Sequence, residues 1–322
     1  MKYQMKIDIT VSKSTCFYYW VQALSEWDAR QPEIETHAYF KEKAGTLSSL
    51  QTNALTMIKH ILLNSKEPRW VLSELYCNRI ASLEAVEIRH LARSFETLFA
   101  NLWVDIEQPL AARRQKLQQS DLSQFNIPLK QIAQFLGSPF QLDKSTTVYL
   151  IQNAPFAPSA GHAINNTDFV LLHPAGREHT SDTNSTICTL VHELIHKIEF
   201  QASTARKLYK DSYDSIISPS GKLAPTGYTW KGLYSETLVY CFANKITGGY
   251  LRPQIFNKPL PSVEEMRAGF KRLLDSDRAT TNDRIAWVAL NIQEEVTSKM
   301  NEGRQIDRRA VDGVSRLFLK YF

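Results

Sequence analysis

The segment Thr189-Leu190-Val191-His192-Glu193-Leu194-Ile195-His196-Lys197-Ile198-Glu199-Phe200 constrains this chain more than any other. Ile187, Val191, Leu194 and Ile198 recur at helical spacing and form one apolar stripe that can bury a helix. On that helix His192 and His196 are four residues apart, so both rings leave one face, one turn from each other. Two imidazole nitrogens so placed can meet a single zinc ion. Glu193 is one residue further round. It is placed to reach a water beside the ion rather than the ion itself.

Two histidines leave such a site incomplete, because catalytic zinc takes three protein ligands and keeps a fourth position open. The chain's eight histidines are His37, His60, His90, His162, His173, His179, His192 and His196, and none follows His196. The third ligand is therefore a later carboxylate or an upstream residue. Glu199, Asp211, Asp214 and Glu236 are the later candidates. Glu199 shares the helix and would have to fold back onto a metal already held by two rings, so a supporting or surface role is expected of it. Asp211 and Asp214 fall in what reads as a long connection, Ser203 to Lys231. Glu236 lies near the start of the next helical pattern, Tyr234 to Ile246, where the helix dipole alone would also favour an acid. A carboxylate on a second helix approaches from a new direction, as a tetrahedral site requires, and Glu236 is the expected third ligand.

The rest of the chain reads as α+β and predominantly helical. Tyr3, Met5, Ile7, Ile9 and Val11 alternate with polar residues and predict a half-buried strand. Helical patterns follow over Phe17 to Arg30, Leu47 to Leu63 and Ile80 to Leu102, the last with Leu91, Phe95, Leu98 and Leu102 on one stripe. The texture changes near Gly137-Ser138-Pro139. Thr146 to Ile151 and Phe169 to His173 read as strands, separated by a loop bearing Pro155, Pro158 and Gly161. Asp182, Thr183 and Asn184 are good caps for the motif helix. After Gly248-Gly249 come helices at about 261–275 and 281–300 and a last one toward the end of the chain; the second of these carries Ile285, Val288, Ala289, Ile292 and Val296. Three regions are expected: a mainly helical one at 1–140 with one strand, a core at 141–255, and a helical one at 256–322 packed on that core.

Thr189 to His196 resembles the extended zinc-binding consensus of the zincin metallopeptidases, with Lys197 at a position that is usually uncharged. The metzincin branch is excluded, because its following glycine and third histidine are here Glu199 and Ala202. The gluzincin branch, whose third ligand is a glutamate on a later helix, fits Glu236 across a longer gap. The resemblance covers roughly residues 146–246. It implies a zincin-like core with a small mixed sheet packed on the motif helix. An edge strand would run along the cleft, at Asp168 to Leu172 or around Gly161-His162-Ala163, and would receive an extended peptide. It also implies a zinc-dependent peptidase with His192, His196 and Glu236 on the metal and Glu193 as general base. The developing oxyanion needs a further donor. With no histidine after the motif, tyrosines are the natural choice, with Tyr228 and Tyr240 as the named candidates; Tyr234, His162 and His173 are also available.

Composition narrows the remaining classes. The net charge of +5 is mild, and the basic residues are scattered, which argues against a nucleic-acid partner. Cys16, Cys77, Cys188 and Cys241 form no Cys-x-x-Cys pair, so a cysteine zinc site is not expected and free thiols in a reducing compartment are. The first residues lack the apolar run of a signal peptide, and no apolar run is long enough to span a bilayer. The expectation is a cytoplasmic protein with a peptide or protein substrate and no membrane partner. The competing readings are a zinc-bearing scaffold or peptide-binding protein of zincin-like fold, without catalysis, and a helical interaction module whose histidine pair is coincidental.

Overall fold

The structure is a computed structural model and describes residues 6–27, 33–139, 145–153, 160–163, 169–174, 181–225, 228–244, 249–256, 261–276 and 279–322. The fold is predominantly α-helical with a small sheet, and it divides into two compact units. Each unit draws on separated stretches of chain.

One unit takes Lys6–Asp121 and Ser145–Thr183. Its strands are β1 (Ile7–Thr10), β2 (Thr146–Asn153), β3 (Ala160–Ala163) and β4 (Phe169–Pro174). Its helices are α1 (Lys13–Ser25), α2 (Glu33–Ala44), α3 (Ser49–Asn64), α4 (Pro68–Tyr76), α5 (Leu83–Ala92) and α6 (Glu96–Gln119). The sheet order is β1-β2-β4-β3. β1 and β2 run parallel with Ile9 opposite Val148, β2 and β4 run parallel with Leu150 opposite Leu171, and β3 is antiparallel to β4. α1 is apolar almost all round and buries Cys16 through Val21 without a break, as a central helix must. It packs against β2 and against α2, α3 and α4. Aromatic rings join α1 to α6: Phe17 meets Phe99 at 5.3 Å and Trp20 meets the same ring at 5.5 Å.

Three expectations are corrected in this unit. The Ile80 to Leu102 pattern is two helices, α5 and α6, joined by a 3-10 turn at Arg93–Phe95. The buried stripe accordingly re-phases to Phe95, Phe99, Trp103 and Ile106. Ala160–Ala163 forms a strand where a loop was expected, because pairing with β4 substitutes for the β-branched side chains it lacks. Phe169–Leu172 is an interior strand between β2 and β3, so β3, not β4, stands at an edge. Tyr3 and Met5 of the opening alternation lie outside the described residues.

The other unit takes Leu122–Lys144 and Asn184–Phe322 as its main parts. Its helices are α7 (Asn126–Leu136), α8 (Ser181–Phe200), α9 (Ser203–Ser212), α10 (Trp230–Phe242), α11 (Arg252–Ile255), α12 (Val263–Leu274), α13 (Thr281–Asn301) and α14 (Arg308–Tyr321). α13 is central and touches α7, α10, α12 and α14. Its predicted stripe Ile285, Val288, Ala289, Ile292 and Val296 is wholly buried. Met266 and Phe270 of α12 close over Ala286, Trp287 and Leu290 of α13.

The segment expected as a long connection after α8 is largely helical. α9 is followed by a π turn at Tyr213–Ile217 and a 3-10 turn at Ser218–Ser220. Its buried stripe is narrow, Ala205, Tyr209 and Ser212, and the polar residues around it mimic loop composition. Ser212 bonds to Asp312 at 2.6 Å and Tyr234 bonds to Ser315, which fastens α9 and α10 to α14. Among the described residues no helix is long and apolar enough to cross a membrane.

Candidate metal centre

Two helices build the site. α8 buries Ile187, Val191, Leu194 and Ile198, the stripe expected from its sequence, together with Leu190 and Ile195. α10 starts at Trp230, earlier than its sequence pattern indicated, because Thr229 caps it: the threonine Oγ1 accepts from Gly232 N at 3.0 Å. Glu236 is therefore a mid-helix residue, and the dipole at a helix start does not account for it. α10 also ends earlier, at Phe242. The backbone N–H of Tyr250 bonds to Cys241 O at 2.8 Å, and that of Leu251 to Phe242 O at 2.9 Å. These two bonds satisfy carbonyls that a helix end leaves open. The return is possible because Gly249 adopts φ +58°, and a Cβ there would lie 2.5 Å from the Phe242 carbonyl carbon.

His192, His196 and Glu236 converge, and they are the single group of potential metal ligands among the described residues. The two Nε2 atoms are 3.1 Å apart. Glu236 Oε2 is 3.5 Å from His192 Nε2, and Oε1 is 3.4 Å from His196 Nε2. Their side chains keep 16%, 21% and 30% of their surface exposed. Asp211 and Asp214 stand elsewhere: Asp214 pairs with Lys210 at 3.2 Å on the surface, and the Asp211 carbonyl accepts from Arg308.

The donor set fits a zinc ion on two grounds. Corners of a tetrahedron whose centre is about 2.0–2.1 Å away lie about 3.3 Å apart; the two Nε2 atoms are 3.1 Å apart, and each faces a different Glu236 oxygen at 3.4–3.5 Å. The protons are also committed elsewhere. His192 Nδ1 is 3.0 Å from the carbonyl of Ala243, which only accepts, so Nδ1 carries the proton. His196 Nδ1 is 3.2 Å from Ser235 Oγ, whose own proton goes to Glu199 Oε2 at 2.8 Å. When the rings are neutral, both therefore present bare Nε2 lone pairs toward each other and toward a carboxylate. Such a set calls for a cation, and hydrogen bonds at Nδ1 are how metal-binding histidines are oriented.

The electrostatics agree. Burial pushes His196 down, but the charge and hydrogen bond of Glu236, with Glu193 and Glu199 behind, prevail and bring its pKa up to about 9. For Glu236, burial acts upward and is outweighed by the two imidazoles, which hold its carboxyl well below the usual range.

The other expected residues fall around this centre. Glu193 is buried, at 8% exposure, and its charge acts on His196. The Tyr240 ring lies 5.6 Å from the His192 ring and packs on the Met266–Trp287 cluster. Burial and then the charge of Glu236 push its hydroxyl pKa up. Tyr228 donates its hydroxyl to Asn282 Oδ1 at 2.7 Å. Burial, followed by Glu236, pushes its pKa up to about 12. Tyr234 is committed to Ser315. The side chains of His162 and His173 lie outside the described residues. Ser235, Asn282 and the Ala243 carbonyl carried no signal in the sequence beyond the adjacency of Ser235 to Glu236.

No protein-family model, curated protein or solved structure matches this chain. The cluster itself matches the His-Glu-x-x-His plus glutamate arrangement of zincin-type metal sites.

Proposed function

We propose that the protein is a zinc-dependent metallopeptidase of gluzincin type. The observation that carries this reading is the convergence of His192 Nε2, His196 Nε2 and the Glu236 carboxylate within 3.1–3.5 Å of one another, with Glu193 buried on the same helix. His192, His196 and Glu236 would hold the ion. The chemistry that zinc supplies at such a site is Lewis acidity, which polarises a carbonyl and acidifies water.

The chain's own residues do the rest. Glu193 takes a proton from the attacking water and later delivers one to the leaving amine. A tyrosine hydroxyl, Tyr228 or Tyr240, donates to the oxyanion that develops on the scissile carbonyl. Burial and the Glu236 charge keep both phenols protonated at neutral pH, and therefore able to donate.

The test pairs metal content with hydrolysis of a peptide library. Glu193→Gln is expected to retain zinc and lose hydrolysis by several orders of magnitude. His192→Ala and Glu236→Ala are expected to lose zinc by elemental analysis. Equal hydrolysis in Glu193→Gln and wild type would sink the mechanism, and full zinc occupancy in Glu236→Ala would reassign the third ligand. A wild-type protein that holds zinc and cleaves nothing in the library would leave the non-catalytic scaffold reading in its place.

A further inference from the structure

Ser235 stands between two side chains of α8. Its Oγ lies 3.2 Å from His196 Nδ1 and donates to Glu199 Oε2 at 2.8 Å. A serine hydroxyl has one proton, and a carboxylate can only accept. That proton is thus spent on Glu199, and toward His196 the oxygen can only accept. Were the serine turned round, its proton would occupy Nδ1 and the ring would carry N–H at Nε2, where no cation binds.

Glu199 is an expensive residue in this place. It is 5% exposed, and its second oxygen, Oε1, is buried without a hydrogen-bond partner. A buried carboxylate is unfavourable unless hydrogen bonds offset its burial. The hydrogen bond that Glu199 accepts from Ser235 orients the hydroxyl that orients His196, while burial and then the Glu199 charge push the pKa of the Tyr209 phenol up. The same two bonds act on α10. Ser235 immediately precedes Glu236, so tying Ser235 to His196 and Glu199 sets the rotation of α10 at the residue that presents the third ligand. Below it, Tyr234 is stacked on Tyr209 at 5.4 Å and nearly parallel, which holds that turn from the other direction.

We infer that Glu199 and Ser235 are a positioning pair: Glu199 polarises Ser235, and Ser235 holds His196 in the tautomer that offers Nε2 to a metal. The inference rests on the metal-site reading above. His192 provides an internal control, because its Nδ1 is fixed by the backbone carbonyl of Ala243 and owes nothing to this pair.

The experiment uses the full chain loaded with cobalt(II), read by proton NMR, and zinc affinity measured by competition with a chromophoric chelator. Wild type should show two exchangeable, paramagnetically shifted imidazole N–H resonances. Ser235→Ala should lose one of them to solvent exchange, keep the other, and bind zinc about 10- to 100-fold more weakly. Ser235→Thr should restore both the resonance and the affinity. Glu199→Gln should weaken zinc binding in the same direction. Ser235→Ala with both resonances and wild-type affinity would overturn the inference while leaving the metal site standing. If circular dichroism shows that Ser235→Ala does not fold, unchanged affinity and resonances in Glu199→Gln overturn it instead. Wild-type protein that takes up neither cobalt nor zinc overturns the metal reading itself.

Discussion

The hydroxyl of Tyr228 is bound to a side chain that a substrate oxygen can replace, Asn282 Oδ1 at 2.7 Å. Tyr240 is different, since its ring is wedged between His192 and the α12–α13 cluster. Exchanging one acceptor for another costs little, whereas moving a packed ring opens a void. The larger catalytic loss is therefore expected from Tyr228→Phe: kcat lower by about 10²- to 10³-fold, the usual cost of removing an oxyanion donor, with zinc content unchanged. Tyr240→Phe should keep most of kcat. Steady-state kinetics on one cleaved peptide decide between them, and the reverse ranking would move the donor role to Tyr240. His192, His196 and Glu236 were legible in the sequence because metal ligation demands particular residue types at a particular spacing, and the absence of any later histidine narrowed the third ligand to few candidates. Ser235 was not legible. A serine beside a glutamate on a helix has no compositional signature, and its role exists only because α10 lies against α8 at that height.

At the level of elements, the α13–α14 junction shows how one acid can serve two purposes. Asp307 caps α14, accepting from Ala310 N at 3.0 Å, and also binds Lys299 Nζ at 2.7 Å across the turn from α13. Its partial burial acts upward on its pKa, but Lys299 and the Ala310 N–H outweigh this and lower it below the ordinary 3.8. A depressed acid contributes stability that is present above its unfolded pKa and is lost as pH falls through its folded one. Asp307→Asn keeps a capping oxygen and loses the charge. It should lower stability by about 1 kcal/mol at pH 7. The gap from wild type should narrow as pH falls below about 4 and close once the pH is below the depressed folded pKa, as followed by denaturant titration across that range; a gap that persists below it would mean the charge is irrelevant. Elements with wide apolar faces, such as α8 and α13, were readable from periodicity. α9 and β3 were not, because a three-residue stripe and a strand of small residues draw their stability from neighbours rather than from their own composition.

For the molecule as a whole, the metal is expected to act as a fastener between α8 and α10, the two helices that supply its ligands. A ligand that binds the native state alone adds about 2.7 kcal/mol at a hundred times its Kd. Zinc should therefore raise Tm by a few degrees, chelation should remove the increment, and His192→Ala should show no zinc response; identical melting with and without zinc would contradict this. A different consequence follows from the sheet. Ile9 is paired with Val148, and β2 in turn with β4. A ribosome delivers β1 first and its partner much later, on the order of ten seconds at typical rates of synthesis. Throughout that interval α1 to α6 can gather while β1 has no strand beside it, so this unit closes late, only once Thr146–Asn153 has emerged. A nascent chain arrested after α6 carries an open strand edge, the kind of surface that invites mispairing and chaperone attention.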